Sequence, residues 1–242
     1  MKISDIQRYD SNKMYETYDY WPKLAKEYYE KDFSKLEIDD VDHIVFAGMG
    51  GSGTIGDIIS SILSKTNIHV NVVKGYLLPK TVDSDTLVVA TSISGNTDEV
   101  LSVLKNSKNT KARFISFSSD GDLEKVSIEN NIKHIKIPQS HSPRASLPSF
   151  LYSILNVLEN VIPIKKNDIM ESISKLEQTQ KLISSSNLNE KNLSLSLANW
   201  IKNIPIIYYP WGLQATAIRF KNSLIIRVSL LFGKFFKKNF VF

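Results

Sequence analysis

His43-Ile44-Val45-Phe46-Ala47-Gly48-Met49-Gly50-Gly51-Ser52-Gly53-Thr54 is a β-prone apolar run that breaks into a glycine cluster, with an apolar-periodic stretch following from Ile55 to Leu63. Read as strand, sharp turn and helix start, it gathers free backbone N–H groups and the positive end of a helix dipole at one point. Such a point is an anion site. Outward from it, strand-like runs recur at 69–73, 86–91, 112–117 and 133–137, and helical patterns at 54–64, 97–107, 121–130 and 145–160. Strands alternating with helices predict an α/β fold with a doubly wound parallel sheet covered on both faces. Ligands of such sheets bind beyond the carboxyl ends of the strands.

The flanks divide the chain further. In an N-terminal helical segment, 1–40, Tyr15, Tyr18, Trp21, Leu24, Ala25 and Tyr28 recur at three- and four-residue steps. That spacing predicts one apolar stripe packed over the core or a partner subunit. The α/β unit occupies 41–162 and closes at Ile162-Pro163-Ile164. Within 163–224, residues 167–203 are polar and helical, interrupted at Ser184-Ser185-Ser186-Asn187; Ile204 to Tyr209 then reads as a strand, Pro210-Trp211-Gly212-Leu213 as a turn, and Gln214 to Leu224 as a helix. A second strand–glycine–helix unit thus starts near 204.

Residues 225–242 hold 11 apolar residues, five of them Phe, with Arg227, Lys234, Lys237 and Lys238 and no acid. This run reads either as a basic, hydrophobic tail for a membrane surface or a partner, or as an improper end from a truncated or frame-shifted coding sequence. The second reading is preferred, because the second α/β unit otherwise lacks its sheet. The tail also carries +4 of the net charge of +5. The fold is therefore near neutral, which argues against a nucleic-acid partner. With no run of 18 apolar residues, no export signal and no cysteine, the expectation is a cytoplasmic protein without a membrane span, disulfide or thiolate metal site. The four histidines never fall at i,i+3 or i,i+4, so no helix-borne metal pair exists and no metal is expected.

Gly48, Gly50 and Gly53 satisfy the G-x-G-x-x-G spacing of a dinucleotide site, which also expects an acid at the end of the second strand for the ribose. Here that strand ends Val72-Val73-Lys74-Gly75. The missing acid weakens the nicotinamide reading, although Lys74 offers a contact for a 2′-phosphate. A P-loop fails because no Gly-Lys-Ser/Thr follows.

Val88-Val89-Ala90-Thr91-Ser92-Ile93-Ser94-Gly95-Asn96-Thr97 places hydroxyls at Ser92, Ser94 and Thr97 around a strand end and the next helix start. A phosphate monoester needs several short donors converging on its terminal oxygens, and hydroxyls plus helix-start N–H groups supply them without a lysine. Thr97 alone also suits a plain N-cap, with Asp98 and Glu99 compensating the dipole. Ser52 adds a fourth hydroxyl from the glycine turn, and in doubly wound sheets strands one and three can be neighbours at the switch point.

Pro138-Gln139-Ser140-His141-Ser142-Pro143-Arg144-Ala145-Ser146-Leu147 leads from the fifth strand into a helix. Arg144 near a helix start opposes the dipole. Two readings stay open for it: an ion pair with Glu159 or another surface acid, or a fixed cation for a developing oxyanion or enediolate. His141 is either a base or a solvated loop residue.

Taken in this order, Gly48-Met49-Gly50-Gly51-Ser52-Gly53, Ser92-Ile93-Ser94-Gly95-Asn96-Thr97 and Pro143-Arg144 resemble the sugar isomerase (SIS) domain, flavodoxin-like in topology. More closely they resemble archaeal-type bifunctional phosphoglucose/phosphomannose isomerases, and Trp211-Gly212-Leu213 with Arg219-Phe220-Lys221-Asn222 resembles the start of that family's second SIS subdomain. The resemblance implies interconversion of glucose 6-phosphate or mannose 6-phosphate with fructose 6-phosphate through a cis-enediol, without metal or nucleotide cofactor, in a homodimer. It further implies that Ser52, Ser92, Ser94 and Thr97 bind the sugar phosphate, with Gly50 and Gly51 lending backbone, and that Arg144 is catalytic at the enediolate.

One departure stands out. The family's glutamate, which moves the proton between C1 and C2, falls where this chain reads Ile225-Ile226-Arg227. The family's later ring-opening histidine and lysine have no counterpart in this sequence. A positioned base is worth roughly 10²–10⁴-fold in rate, so binding is expected to survive better than turnover. A non-catalytic SIS module that senses a sugar phosphate is the alternative.

Overall fold

Runs rich in Val, Ile and Phe that carry apolar residues on both faces can be buried only as central strands of a parallel sheet. The computed structural model describes residues 2–201, 206–210 and 212–221. In chain order it has α1 (Ile3–Gln7), α2 (Met14–Asp19), α3 (Trp21–Glu30), β1 (His43–Ala47), α4 (Gly50–Leu63), β2 (His69–Val73), β3 (Thr86–Ser92), α5 (Asp98–Lys105), β4 (Arg113–Ser118), α6 (Asp122–Glu129), β5 (Lys133–Lys136), α7 (Leu147–Val157), α8 (Lys166–Ile183) and α9 (Leu193–Trp200). A single 3₁₀ turn, Ser107–Asn109, follows α5. Residues 214–221 are also helical.

The five strands form one parallel sheet in the order β2-β1-β3-β4-β5. Chain direction across the sheet reverses between β1 and β3, the switch point of a flavodoxin-like winding. Burial follows from that order. Every residue of β1 and β3 is buried, whereas β2 at the edge is exposed at His69 and only partly buried beyond it.

Side-chain alternation divides the sheet between two layers of helices. Ile44, Phe46, Leu87 and Val89 face one way and pack with Ile55, Ile59 and Leu63 of α4, Phe150 and Ile154 of α7, and Leu24 and Tyr28 of α3. On the other face, Ala90 packs with Leu101, Leu104 and Leu123, and Val45, Ala47 and Val88 pack with Val103. Each buried Leu, Ile or Phe contributes roughly 1.5–3 kcal/mol, so the bilateral core holds the sheet.

Several elements depart from the sequence reading. The N-terminal aromatic stripe is two helices rather than one. Pro22 sits in the first turn of α3, where its missing N–H costs nothing, but a helix running on from Tyr18 would lose a hydrogen bond there. As a result Leu24, Ala25 and Tyr28 are buried while Tyr18 is 38% exposed. The helix expected over 54–64 begins at Gly50, so the glycine cluster belongs to its first turn. Residues 206–209, expected to close a strand, are not one. All described strands lie in the one sheet, and an extended run with no neighbour leaves its N–H and C=O groups unpaired. Ile204, Pro205, Trp211, the last three residues of the helix expected to Leu224, and the 225–242 run lie outside the described residues.

The tightest backbone crossing joins the β3–α5 loop to the β4–α6 loop. Gly95 has φ +74°, and a Cβ there would stand 1.5 Å from the Asp120 carbonyl oxygen. Gly75, in an ordinary loop, has nothing within 4 Å of its would-be Cβ. Gly95→Ala is therefore expected to lose about 3 kcal/mol or more of unfolding free energy. Gly75→Ala stays within about 0.5 kcal/mol, both read from urea denaturation.

Candidate functional site

The sheet's winding leaves two loops side by side at the carboxyl ends of β1 and β3, and each opens a helix. In the first, β1 ends at Ala47, Gly48 still donates to the Val73 carbonyl at 3.1 Å, and α4 starts at Gly50. So sharp a turn needs backbone against backbone. A Cβ on Gly48 would stand 2.9 Å from the Ser52 carbonyl carbon, and one on Gly53 would stand 2.7 Å from the Gly48 oxygen. Gly50 itself takes φ +53°. Ser52 and Gly53 N–H both return to the Met49 carbonyl, at 3.0 and 3.2 Å. The Gly50 and Gly51 amides, the first two of α4, have no acceptor within their own helix.

The second loop carries the hydroxyls. Ser92 Oγ accepts from Gly95 N–H at 3.1 Å and lies 2.7 Å from Thr97 Oγ1. Ser52 Oγ, from the first loop, accepts from Ile93 N–H at 3.3 Å. The four hydroxyls are thus brought to one corner, with different access. Ser52 and Ser92 are buried, Thr97 is half-buried and Ser94 is exposed. Thr97 occupies the N-cap position of α5 but makes no side-chain cap bond; its hydroxyl turns to Ser92 instead. Glu99 sits half-buried in the first turn of α5, as a dipole-compensating acid does.

Asn96 was not singled out from the sequence, yet its Oδ1 accepts from Asp122 N–H at 3.0 Å and caps α6. Leu123 N–H donates to the Gly95 carbonyl at 2.9 Å, and Ser119 donates to the Ile93 carbonyl from both its N–H and its hydroxyl. The hydroxyl loop is thereby bolted to the β4–α6 loop. Beneath that bolt, His134 lies between Ser116 and Ser118, 2.8 and 3.3 Å away. Burial pushes its imidazole below its ordinary pKa.

The third segment, β5 to α7, reaches the first helix start. The Pro143 carbonyl oxygen is 3.9 Å from where a Cβ on Gly51 would stand. Ser146 closes this loop, its Oγ accepting from Ser140 N–H at 2.9 Å and reaching the Ser140 and Ser142 carbonyls. Arg144 is exposed. Among the described residues Arg144 makes no ion pair, and Glu159, one of the acids weighed for it, is held by Lys35 at 2.5 Å. His141 is exposed, takes φ +38°, and its Nε2 lies 2.9 Å from the Asn12 carbonyl oxygen, tying the loop to the N-terminal segment.

Lys74, the contact considered for a nucleotide 2′-phosphate, is paired with Asp57 of α4 at 2.6 Å. The pair lies alongside the glycine turn and neutralises both charges. Among the described residues no group of three or more His, Cys, Asp or Glu is placed to hold a metal ion, and no helix is long and apolar enough to cross a membrane. The corner thus gathers the first two amides of α4, the positive end of its dipole, the exposed Ser94 hydroxyl and the half-buried Thr97 hydroxyl, chemistry that suits an anion.

Comparison with known proteins follows the same geometry. The family model described as "SIS domain" matches residues 37–155. The chain is 34% identical over 203 residues to a bifunctional phosphoglucose/phosphomannose isomerase of Caldicellulosiruptor bescii, covering 81% of this chain and 60% of that one. It is 32% identical over 195 residues to the protein of the same name from Thermoplasma volcanium, covering 81% and 59%. The chain therefore spans about three-fifths of the length of these relatives. Among solved structures, the C-terminal domain of glucosamine-fructose-6-phosphate aminotransferase from Francisella tularensis superposes with a TM-score of 0.50 at 17% identity, covering 70% of this chain and 54% of that one. That likeness concerns the fold.

Ser92 and Ser94 separate support from contact at this corner. Ser92→Ala removes the buried hydroxyl that pairs with Thr97 Oγ1 and shares the Gly95 N–H with the Ser92 carbonyl, and is expected to cost about 1 kcal/mol. Ser94→Ala, at an exposed hydroxyl, stays within about 0.5 kcal/mol. Thermal and urea unfolding of the two variants check the contrast.

Proposed function

We propose that the corner between β1 and β3 binds the phosphate of a hexose 6-phosphate, a reading supported by the match of the SIS domain model to residues 37–155. On this reading the chain serves the interconversion of glucose 6-phosphate and mannose 6-phosphate with fructose 6-phosphate. The observation that carries it is the meeting of two helix-opening loops through the Ile93 N–H to Ser52 Oγ bond. That bond sets the α4 amides beside the hydroxyls of the second loop. The names of the two relatives at 34% and 32% identity support the substrate class.

In this reading the dianionic phosphate sits at the start of α4, accepting from the Gly50 and Gly51 amides. Ser94 and Thr97 complete its shell, with Ser52 and Ser92 holding the loops in register beneath. A phosphate so held fixes the far end of an open-chain sugar and carries C1 and C2 toward the β5–α7 loop. When a proton leaves C2 of an aldose, negative charge gathers on the C1 oxygen. Arg144 would meet that charge, and a preorganised cation facing an enediolate is typically worth about 10²–10³-fold in rate. The proton must pass through a base, and the sequence at the place the resemblance gives to glutamate is Ile225-Ile226-Arg227. The residues that hold the phosphate are therefore separable from the residue that turns the sugar over. The same reading takes the protein to be a cytoplasmic homodimer.

The isoleucine in place of a glutamate favours one second reading, a SIS module that senses a sugar phosphate without converting it. A coupled assay for glucose 6-phosphate formation from fructose 6-phosphate decides between the two.

Fructose 6-phosphate or glucose 6-phosphate at about 100-fold above its dissociation constant is expected to raise Tm by about 5 °C or more. Ser94→Ala weakens binding of either sugar phosphate about 5–10-fold. Arg144→Ala leaves the dissociation constant within about threefold and lowers any kcat about 10²-fold. The absence of a thermal shift with every hexose and pentose phosphate tried would sink the proposal.

A further inference from the structure

Arg144 and Ala145 precede Ser146, the N-cap of α7, whose carbonyl accepts the first bond of that helix from Phe150 N–H. The Arg144 and Ala145 carbonyls therefore lie outside the helical ladder and need donors from elsewhere. Arg219, 75 residues further along the chain, fills the gap: its Nη2 donates to that carbonyl at 2.9 Å. The next carbonyl, of Ala145, accepts from the Trp21 indole N–H at 2.8 Å.

The two donors also support one another. The Arg219 guanidinium lies 5.4 Å from the centroid of the Trp21 ring, and Tyr18 packs edge-on against that ring at 4.8 Å between centroids. Burial lowers the Arg219 guanidinium from its ordinary range; Tyr18 opposes that shift, and the charge of Arg144 adds to it. Arg219 is thus bound to the backbone of a loop that reaches the α4 start through Pro143.

We propose that Arg219 and Trp21 are positioning residues, a clamp on two consecutive carbonyls that fixes Arg144 beside the α4 N-terminus. The inference rests on the reading of Arg144 given above and deepens it. Neither clamp residue touches the substrate. They act by holding the β5–α7 backbone, so that the Arg144 side chain need not be ordered at the moment charge develops.

Limited trypsin digestion tests the clamp without any ligand, since trypsin cleaves after Arg144 only when that segment opens. Trp21→Phe removes the indole donor and keeps an aromatic ring; Arg219→Ala removes the other donor. Each is expected to speed cleavage after Arg144 about 10-fold, with Tm within about 2 °C of the unmutated protein. Equal cleavage rates in variants and parent overturn the clamp.

A second measurement uses 5-phospho-D-arabinonate, whose carboxylate imitates the enediolate, against inorganic phosphate. Arg219→Ala is expected to weaken the arabinonate about 10-fold and inorganic phosphate less than twofold. The double variant Arg144→Ala/Arg219→Ala should bind arabinonate no more weakly than Arg144→Ala alone. Additive losses, or equal losses for both ligands, overturn the positioning role. Should the unmutated protein fail to prefer arabinonate over phosphate, the sugar-phosphate reading falls instead, and the digestion rates still report on the clamp.

Discussion

At Gly95 the backbone turns with φ +74° and passes so close to the Asp120 carbonyl that no side chain fits between them. Four bonds make the same crossing: Ser119 N–H and hydroxyl to the Ile93 carbonyl, Leu123 N–H to the Gly95 carbonyl, and Asp122 N–H to Asn96 Oδ1. They lock the hydroxyl loop to the start of α6. With the loop held from outside, Ser92 and Thr97 can pair with each other, and Ile93 can offer its N–H to Ser52. Loosening this crossing would free the hydroxyls from the glycine turn, and the anion corner would dissolve into two separate loops.

The glycine turn works by the same physics from the other side. Gly48 and Gly53 permit backbone contact that any Cβ would block, which starts α4 directly behind β1. Gly56, one turn along, lets the helix settle on Phe46, whose Cβ would lie 2.6 Å from a glycine-replacing Cβ. One residue type thus sets both the sharpness of the turn and the closeness of helix to sheet. This geometry is shared with dinucleotide sites, which is why the spacing of Gly48, Gly50 and Gly53 does not by itself name a ligand. Neighbouring side chains bear on the choice: Lys74 is committed to Asp57, and the hydroxyls of the second loop support the compact phosphate proposed above.

Much of this was legible in the chain. All five strands fall within a residue of the predicted runs; β1 and β3, buried on both faces, write that burial into consecutive residues. Helix boundaries were less visible. Proline at position 22 ended one aromatic stripe and began another, and the start of α4 lay inside a glycine cluster that local propensity counts against a helix. Residues 206–209 of the strand expected over 204–209 had the right residue types and no neighbour to pair with among the described residues. Strand propensity cannot supply a partner strand.

By itself the sequence determined the alternation of strands and helices, the two loops rich in glycine and hydroxyls, and the arginine before α7, since each is a local pattern of residue types. Only the tertiary structure decided which hydroxyls support and which are accessible, that Glu159 belongs to Lys35, that Asn96 caps a distant helix, and that Trp21 and Arg219 hold consecutive carbonyls beside Arg144. The physical reason is range. Local patterns follow from the periodicities of the backbone, whereas these contacts join residues 26 to 124 positions apart, and nothing in either partner's own neighbourhood names the other.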